Sequence, residues 1–212
     1  MSDLITIAMP TGRLGKETLK RFKQAGMLQT YQKDSRKLVV IDHASKVRFL
    51  FVKPVDVITY VVNKVADLGV VGKDQLLEEE ADVYELLELG FGQCKLAVAG
   101  FENTALQRQN GVLSIATKYP NITKRYFQMK NQSIELIPLS GSVELAPLVG
   151  LSDCIVDIVE TGNTLKENGL SVLEEMMDIS ARLIANRVSY RFKNALIDDV
   201  IQKLKRSKEE LS

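Results

Sequence analysis

A run of hydroxyl, acidic and glycine residues in the last third of the chain has the composition of an anion-binding turn. Residues 154–159 form a short apolar run, interrupted only by Asp157, that predicts a strand. Residues 160–164, Glu-Thr-Gly-Asn-Thr, follow it, and residues 165–169 predict a short helix. Gly162 allows a positive φ, so backbone N–H groups can approach a ligand closely. Together with the two threonine hydroxyls, these donors predict a phosphate site.

Asp157 lies on the predicted strand just before this turn. Its carboxylate can accept hydrogen bonds from the hydroxyls of a sugar, so the predicted ligand is a sugar phosphate. The structural alternative is that Thr161 or Thr164 only caps the helix and Gly162 only makes the turn. Two threonines around a glycine, with acids upstream, resemble the 5-phosphoribosyl-diphosphate loop of phosphoribosyltransferases, and this favours the functional interpretation.

Two further turns between a strand and a helix carry charged residues. Gly12 and Arg13 follow the first predicted strand and form a second candidate anion site, because an arginine offers a forked set of donors. Lys73 and Asp74 follow a buried strand predicted at residues 68–71. That position is the carboxyl edge, where open α/β sheets bind ligands.

The turn that begins at residue 139 has the same character. Gly141 and Ser142 follow a predicted strand, and Glu144 is expected in the first turn of the next helix. An acid near a helix N-terminus is favourable on structural grounds alone. Because this turn lies just before the predicted phosphate loop, its residues are nevertheless candidates for the same site.

Composition excludes several classes of protein. Lys and Arg number 28 against 27 Asp and Glu in 212 residues, so the net charge of +1 gives no general electrostatic case for DNA or membrane binding. A single histidine, His43, excludes a multi-histidine metal site. Cys94 and Cys154 lie in apolar stretches and are expected to be buried free thiols. With neither a signal peptide nor a membrane-spanning run, we expect a cytoplasmic protein.

Alternating strands and helices predict an α/β architecture of two lobes with a cleft between them. Residues 1–92 plus 180–212 are predicted to form a discontinuous first domain, and residues 93–179 a second domain that carries the phosphate loop. One long strand at 173–185 is expected to return the chain to the first domain. A single helix at 188–204 is expected to close the chain, and the acidic run at 78–80 to be a solvated face.

Five ordered motifs together resemble the ATP phosphoribosyltransferase family, the enzymes of the first step of histidine biosynthesis. They are Pro-Thr-Gly-Arg-Leu at 10–14, Lys-Pro-Val-Asp-Val at 53–57, Asp-Leu-Gly-Val-Val-Gly-Lys-Asp at 67–74, Gly-Ser-Val-Glu-Leu-Ala-Pro at 141–147, and the stretch 153–165. The sequence departs from the family at Thr11, where many members carry lysine. It also departs at Lys53, often an arginine, which keeps the charge but loses bidentate geometry.

The resemblance implies a two-lobed fold similar to the type II periplasmic solute-binding proteins. It also implies that adenine N1 of ATP attacks the anomeric carbon of 5-phosphoribosyl 1-diphosphate and releases diphosphate, the reaction of a pentosyltransferase, EC 2.4.2.17. The cofactor implied is Mg²⁺ carried by the substrate, held by few protein ligands. No covalent nucleophile is needed, so catalysis would consist of positioning and electrostatic stabilisation.

The resemblance also implies roles for individual residues. Catalytic roles are expected for Arg13, Glu144 and Asp157, with Asp157 on the ribose hydroxyls and Arg13 on a phosphate of ATP or on the diphosphate. The substrate-binding residues are expected to be Gly12, Leu14, Lys53, Lys73, Asp74, Gly141, Ser142, Glu160, Thr161, Gly162, Asn163, Thr164 and Leu165.

The length of the chain resembles the short form of the family, which lacks the C-terminal regulatory domain of the long form. Short-form members work with a second subunit similar to a histidyl-tRNA synthetase, which confers activity and histidine inhibition. The resemblance therefore implies a hetero-oligomer built around a homodimer of this chain.

Two alternatives keep part of this pattern. A non-catalytic binding module could use the same two-lobed fold, because fold does not fix function. It should carry an export signal or a DNA-binding helix-turn-helix, and neither is expected here. A different phosphoribosyltransferase would keep the phosphate loop but not the Gly-Arg-Leu and Gly-Lys-Asp motifs.

Overall fold

The computed structural model describes residues 4–29, 31, 37–106 and 111–209 as an α/β protein. Its strands are β1 (Ile5–Pro10), β2 (Val39–Asp42), β3 (Val47–Val52), β4 (Leu68–Gly72), β5 (Val83–Glu88), β6 (Cys94–Gly100), β7 (Leu113–Thr117), β8 (Ile134–Pro138), β9 (Cys154–Val159), β10 (Ser171–Ile179) and β11 (Ala181–Asn186). Its α-helices are α1 (Gly12–Gln24), α2 (Val57–Val62), α3 (Lys73–Glu79), α4 (Pro120–Met129), α5 (Leu145–Leu148), α6 (Asn163–Glu167), α7 (Arg187–Phe192) and α8 (Asn194–Glu209), and a short 3-10 helix covers Pro54–Asp56.

The chain divides into two compact units. The first comprises Met1–Leu76, Glu80–Gly92 and Ser180–Ser212, and the second comprises Leu77–Glu79 and Gln93–Ile179. Within the described residues, no helix is long and apolar enough to cross a membrane.

The first unit is built on a six-stranded sheet in the order β2-β3-β1-β4-β11-β5. The three strands β3, β1 and β4 are parallel neighbours, and β2, β11 and β5 are antiparallel to the strands they pair with. Every residue of β1 is buried. Phe22 of α1 packs edge-on against Phe49 of β3 at a ring-centroid distance of 5.7 Å, so the apolar side of α1 covers one face of this sheet.

The second unit has a five-stranded sheet in the order β10-β6-β9-β7-β8. Here β9, β7 and β8 are parallel neighbours, while β6 is antiparallel to both β9 and β10. Apolar clusters cover both faces of the sheet. One contains Val156 and Phe127 of α4, and the other contains Ile155 and Leu165 of α6. Alternate residues of β9 therefore belong to different cores.

The predicted strand at 173–185 is wrong, because the structure has two strands there. Ile179 pairs with Cys94 in the second sheet, whereas Ala181 pairs with Gly72 in the first. Ser180 lies between them and donates its hydroxyl to Glu88 at 2.7 Å. Apolar alternation continues through this change of sheet, so the sequence pattern does not reveal it.

The predicted helix at 188–204 is also wrong, because α7 and α8 are separated at Lys193. The Lys193 ammonium lies 2.8 Å from the Asp67 carboxylate, and the Asn194 side chain accepts a hydrogen bond from the N–H of Ala195 at the start of α8. Phe192, the last residue of α7, is 69% exposed, whereas Val200 of α8 is buried.

The remaining differences concern the starts of two helices, the acidic run at 78–80 and a missed strand. α1 begins at Gly12 and α3 at Lys73, so residues predicted as turns lie in first helical turns. Glu79 and Glu80 are exposed as expected, but Glu78 is half-buried, and its carboxylate accepts hydrogen bonds from the N–H groups of Asn121 and Ile122 at the start of α4. The edge strand β5 has no counterpart among the predicted strands.

Gly15 is required by the close approach of α1 to the end of β1. A Cβ atom at this position would lie 2.1 Å from the carbonyl oxygen of Pro10. Because both partners are backbone, neither a rotamer change nor a small side-chain shift relieves the clash.

We expect Gly15→Ala to lower the free energy of unfolding by about 1–3 kcal/mol, the usual cost of overpacking. Urea denaturation followed by circular dichroism measures it. Gly141→Ala is the matched control, because a Cβ there meets nothing within 4 Å. Equal stability of the two variants would show that α1 can move away from β1 at no cost.

Candidate functional site

The parallel strands of the second unit bring three predicted segments to one edge. Thr117 at the end of β7 pairs with Val156 of β9 on one side and Pro138 of β8 on the other. Parallel strands end at the same edge, so the segments that follow them are neighbours. The carboxyl edge of this sheet therefore carries Asp157, the turn at 160–164 and the turn around Glu144.

The turn after β9 has the geometry of an anion-binding loop. Gly162 takes φ 73° and ψ 4°, and α6 begins at the next residue. Thr161 and Thr164 are exposed, and the Thr161 hydroxyl accepts a long hydrogen bond of 3.4 Å from the N–H of Asn163. Leu165 is only 7% exposed and packs in the core, so only its backbone can serve a ligand.

Asp157 is a partly buried carboxylate at the end of β9, with 15% of its side chain exposed. Burial raises its pKa, and the negative charge of Glu144 adds to this. The backbone N–H of Ile158 and the ammonium of Lys118 act in the opposite direction, but burial outweighs them. The Lys118 Nζ lies 3.8 Å from Asp157 Oδ2.

Lys118 is a site residue that the sequence analysis missed. It directly follows β7, which ends at Thr117. The feature visible in the sequence was a lysine directly after an apolar run that predicts a strand. Lys118 becomes a neighbour of the loop at 160–164 because β7 pairs with β9. Strand pairing of this kind is a tertiary feature with no local sequence signature.

The turn after β8 adds a second carboxylate. Gly141 and Ser142 are exposed, Ser142 takes φ 46°, and Glu144 occupies the N-cap position of α5 rather than its first turn. Among the described residues, no group of three or more His, Cys, Asp or Glu could hold a metal ion. Asp157 and Glu144 fit an ion such as Mg²⁺, which takes one or two protein carboxylates and otherwise water and phosphate oxygens.

A cavity of about 560 Å³ lies beside the phosphate loop within the second unit. Its lining includes four residues predicted to bind substrate, namely Glu160, Thr161, Gly162 and Leu165. Lys95, Glu175 and Asp178, which the sequence analysis did not select, also line it. Neither Asp157 nor Glu144 belongs to its lining, so this cavity covers only one side of the loop.

The first unit gathers its predicted residues at the carboxyl edge of β3, β1 and β4. Pro10 of β1 pairs with Val52 of β3, which places the segments carrying Arg13 and Lys53 next to each other. Arg13 and Lys53 are exposed, and Gly12 takes φ 76°. Leu14 packs against the core instead, so its side chain has a structural role.

Lys73 and Asp74 follow β4 at the same edge, but both are engaged within the first unit. The Lys73 ammonium pairs with Glu85. Asp74 is 7% exposed, and its carboxylate lies against Gly72, where an added Cβ would be 2.1 Å from Oδ1. These two residues therefore offer a ligand less than the exposed Lys53 does.

Comparison with known proteins identifies the family. The family model described as "HisG: ATP phosphoribosyltransferase" matches residues 53–206. The chain belongs to the ATP phosphoribosyltransferase family. Relatives named ATP phosphoribosyltransferase match over nearly their whole length. That of Clostridioides difficile (strain 630) is 56% identical over 94% of this chain and 96% of its own, and that of Bacillus subtilis (strain 168) is 50% identical over 96% and 95%.

Solved structures agree with this assignment. The ATP phosphoribosyl transferase (HisG:HisZ) complex from Thermotoga maritima contains a chain that is 37% identical, with a TM-score of 0.84 over 98% of this chain and 100% of that one. The periplasmic aliphatic sulphonate binding protein SsuA from Escherichia coli is 13% identical, with a TM-score of 0.62 over 96% of this chain and 72% of that one. The latter likeness concerns the fold alone and confirms the type II periplasmic-binding architecture.

The family fixes the reaction. The chain is an ATP phosphoribosyltransferase, a pentosyltransferase of class EC 2.4.2.17, and acts in the first step of histidine biosynthesis. It transfers the 5-phosphoribosyl group from 5-phosphoribosyl 1-diphosphate to N1 of ATP. The non-catalytic binding module is thereby excluded as the function, and so is a phosphoribosyltransferase of another kind.

We expect Asp157→Asn to raise the melting temperature at neutral pH. The folded-state pKa of Asp157 is raised, so the wild-type chain loses stability as pH rises from the unfolded pKa to the folded pKa. The variant's advantage should be absent below that window and complete above it. Thermal unfolding between about pH 3 and about pH 8 checks this. Asp198→Asn, at an exposed position on α8, is the control; a constant difference across pH would contradict the expectation.

Proposed function

We propose that the carboxyl edge of the second sheet binds 5-phosphoribosyl 1-diphosphate. The loop at 160–165 would hold the 5-phosphate through the hydroxyls of Thr161 and Thr164 and through backbone N–H groups. The first N–H groups of a helix have no partner within the helix, and an anion satisfies them. The observation that carries the proposal is the left-handed Gly162 turn placed directly after the strand that bears Asp157.

Asp157 would accept hydrogen bonds from the ribose hydroxyls. A partly buried carboxylate needs polar partners, and the pKa of Asp157 is already raised by burial. Sugar hydroxyls supply donors at this position and favour the ionised form. Glu144 would lie on the other side of the sugar or near its metal ion.

Magnesium would arrive with the diphosphate. Asp157 and Glu144 are the carboxylates that would hold it, and its chemistry when bound is to neutralise charge on the leaving diphosphate. Gly141, Ser142 and Glu160 would complete the rim of this substrate site.

The edge of the first sheet would bind ATP. Arg13 presents a forked donor set to a phosphate group, and Gly12 allows the backbone to approach it. Lys53 adds a second exposed cation on the neighbouring strand end. The same edge also carries Lys73, Asp74 and the backbone of Leu14, which would make further contacts with ATP.

In this assignment catalysis is electrostatic. The lone pair of adenine N1 forms the new bond to ribose C1, and the bond from C1 to the diphosphate oxygen breaks with its electrons leaving on the diphosphate. Positive charge develops on the ribose between these events, and the carboxylates of Asp157 and Glu144 would stabilise it. Arg13 would stabilise a phosphate group at the same time.

We expect the double variant Thr161→Val, Thr164→Val to lower kcat/KM by roughly two to four orders of magnitude, as loss of oxyanion donors does. Calorimetric titration with 5-phosphoribosyl 1-diphosphate and magnesium should show the same loss in affinity. This measurement needs no partner subunit.

Thr59→Val is the matched control, because Thr59 is an exposed threonine on α2, outside the proposed site. It should bind the substrate as the wild type does. Unchanged affinity in the double variant would remove the loop from the site.

The proposed assembly is a homodimer of this chain joined to a regulatory subunit similar to a histidyl-tRNA synthetase, in the cytoplasm. The support is the solved neighbour, which is an ATP phosphoribosyl transferase (HisG:HisZ) complex. In such an assembly the second subunit confers full activity and histidine inhibition.

We expect the purified chain to sediment as a dimer and the activity per chain to rise when a synthetase-like subunit from the same organism is added. Sedimentation velocity and an assay of diphosphate release measure the two effects. Histidine should inhibit the mixture and leave the isolated chain unaffected. A monomer whose activity the second subunit does not change would contradict the proposed assembly.

A further inference from the structure

Lys118 occupies the centre of the carboxyl edge in the second unit. It follows β7, which lies between β9 and β8 in the sheet. Its ammonium is 3.8 Å from Asp157 Oδ2, and 37% of its side chain is exposed. The lysine is thus both anchored beside the proposed ribose-binding carboxylate and accessible to a ligand.

The charges around Lys118 are otherwise negative. The segments that follow the three parallel strands are 118–119, 139–144 and 160–164, and Lys118 is the only lysine or arginine in them. Glu144 and Glu160 lie in the other two. Within these three segments, Lys118 is therefore the cation that can meet a phosphate group of the substrate.

The chemistry of the substrate decides which phosphate group that cation meets. The 160–165 loop is assigned to the 5-phosphate, at one end of the ribose. The diphosphate is attached to C1, next to the C2 hydroxyl that Asp157 would engage. A cation beside Asp157, just past the end of the strand next to β9, lies outside the loop and so suits the C1 side of the sugar.

We propose that Lys118 binds the diphosphate group of 5-phosphoribosyl 1-diphosphate. This inference rests on the proposed placement of the 5-phosphate and ribose at Thr161, Thr164 and Asp157. In this role the ammonium leaves part of its interaction with Asp157 to meet a diphosphate oxygen, and it stabilises the charge that grows there as the C1–O bond breaks.

A purely structural lysine would behave differently. If Lys118 only neutralised Asp157, its loss would disturb ribose binding and weaken every ligand that contains the sugar. If it binds the diphosphate, its loss would weaken only ligands that contain the diphosphate. The two roles are separated by comparing the whole substrate with its two halves.

The experiment is calorimetric titration of the chain with 5-phosphoribosyl 1-diphosphate, ribose 5-phosphate and inorganic diphosphate, each with magnesium. We expect Lys118→Met to weaken binding of the whole substrate and of diphosphate by about ten- to a hundredfold, the worth of a charged hydrogen bond. Binding of ribose 5-phosphate should stay at the wild-type level. Lys118→Arg should retain most of the affinity, because it keeps the charge.

Lys124→Met is the control for loss of a surface charge, because Lys124 is exposed on α4. It should leave all three affinities unchanged. Unimpaired binding of ribose 5-phosphate by Lys118→Met also shows that the variant is folded.

Three results would overturn the assignment: equal weakening of ribose 5-phosphate and diphosphate, no weakening of either, or a wild-type chain that binds ribose 5-phosphate but not diphosphate. Failure of the proposed substrate site gives another pattern. In that case the Thr161→Val, Thr164→Val variant would bind ribose 5-phosphate as the wild type does, or the wild type would bind neither half.

Discussion

Parallel pairing of β9 with β7 and of β7 with β8 is the constraint on which the proposed substrate site of the second unit depends. Strands that run in the same direction end at one edge, so segments 42 to 46 residues apart in sequence, such as Lys118 and the loop at 160–164, become neighbours. The antiparallel strands β6 and β10 flank this arrangement and supply buried backbone partners. A slip of one residue in β9 would move Asp157 to the opposite face, where the other apolar cluster lies.

Asp157 illustrates the conflict between folding and function at this edge. Its side chain lies on the same face of β9 as Ile155 and Val159. Both of these residues pack in the apolar cluster that contains Leu165. A carboxylate in that series is unfavourable for folding, and its raised pKa records the cost of ionising it there. A ligand whose hydroxyls donate to this carboxylate, beside the Ile158 N–H and the Lys118 ammonium, would offset that cost. Natural proteins break local rules of this kind mainly at functional sites.

The local parts of the site were predictable from the sequence, and the contacts between its parts were not. Gly162 needs a positive φ, and a glycine between threonines after an apolar run is visible in the sequence. The type II periplasmic-binding fold followed from the family resemblance and is confirmed.

Lys118 was missed because its importance comes from strand order. The hydrogen bonds of Glu78 were missed because its partners at Asn121 and Ile122 are 43 and 44 residues away. The break at Ser180 was missed because two successive strands can share one alternating pattern.

The two units differ in the charge that they gather at their carboxyl edges, and this difference fits the proposed division of the chemistry. The first unit gathers the cations Arg13 and Lys53, which suit the phosphate groups of a nucleotide. The second gathers the acids Asp157, Glu144 and Glu160, with Lys118 between their strands. A reaction that develops positive charge on a ribose while a diphosphate departs needs acids close to the sugar and a cation close to the leaving group. Acids near the sugar would be a poor choice for binding an anionic substrate in its ground state. They would become favourable as C1 acquires positive charge, so the proposed roles give their charge its main effect in the transition state, while hydrogen bonds from the ribose hydroxyls to Asp157 would contribute to affinity.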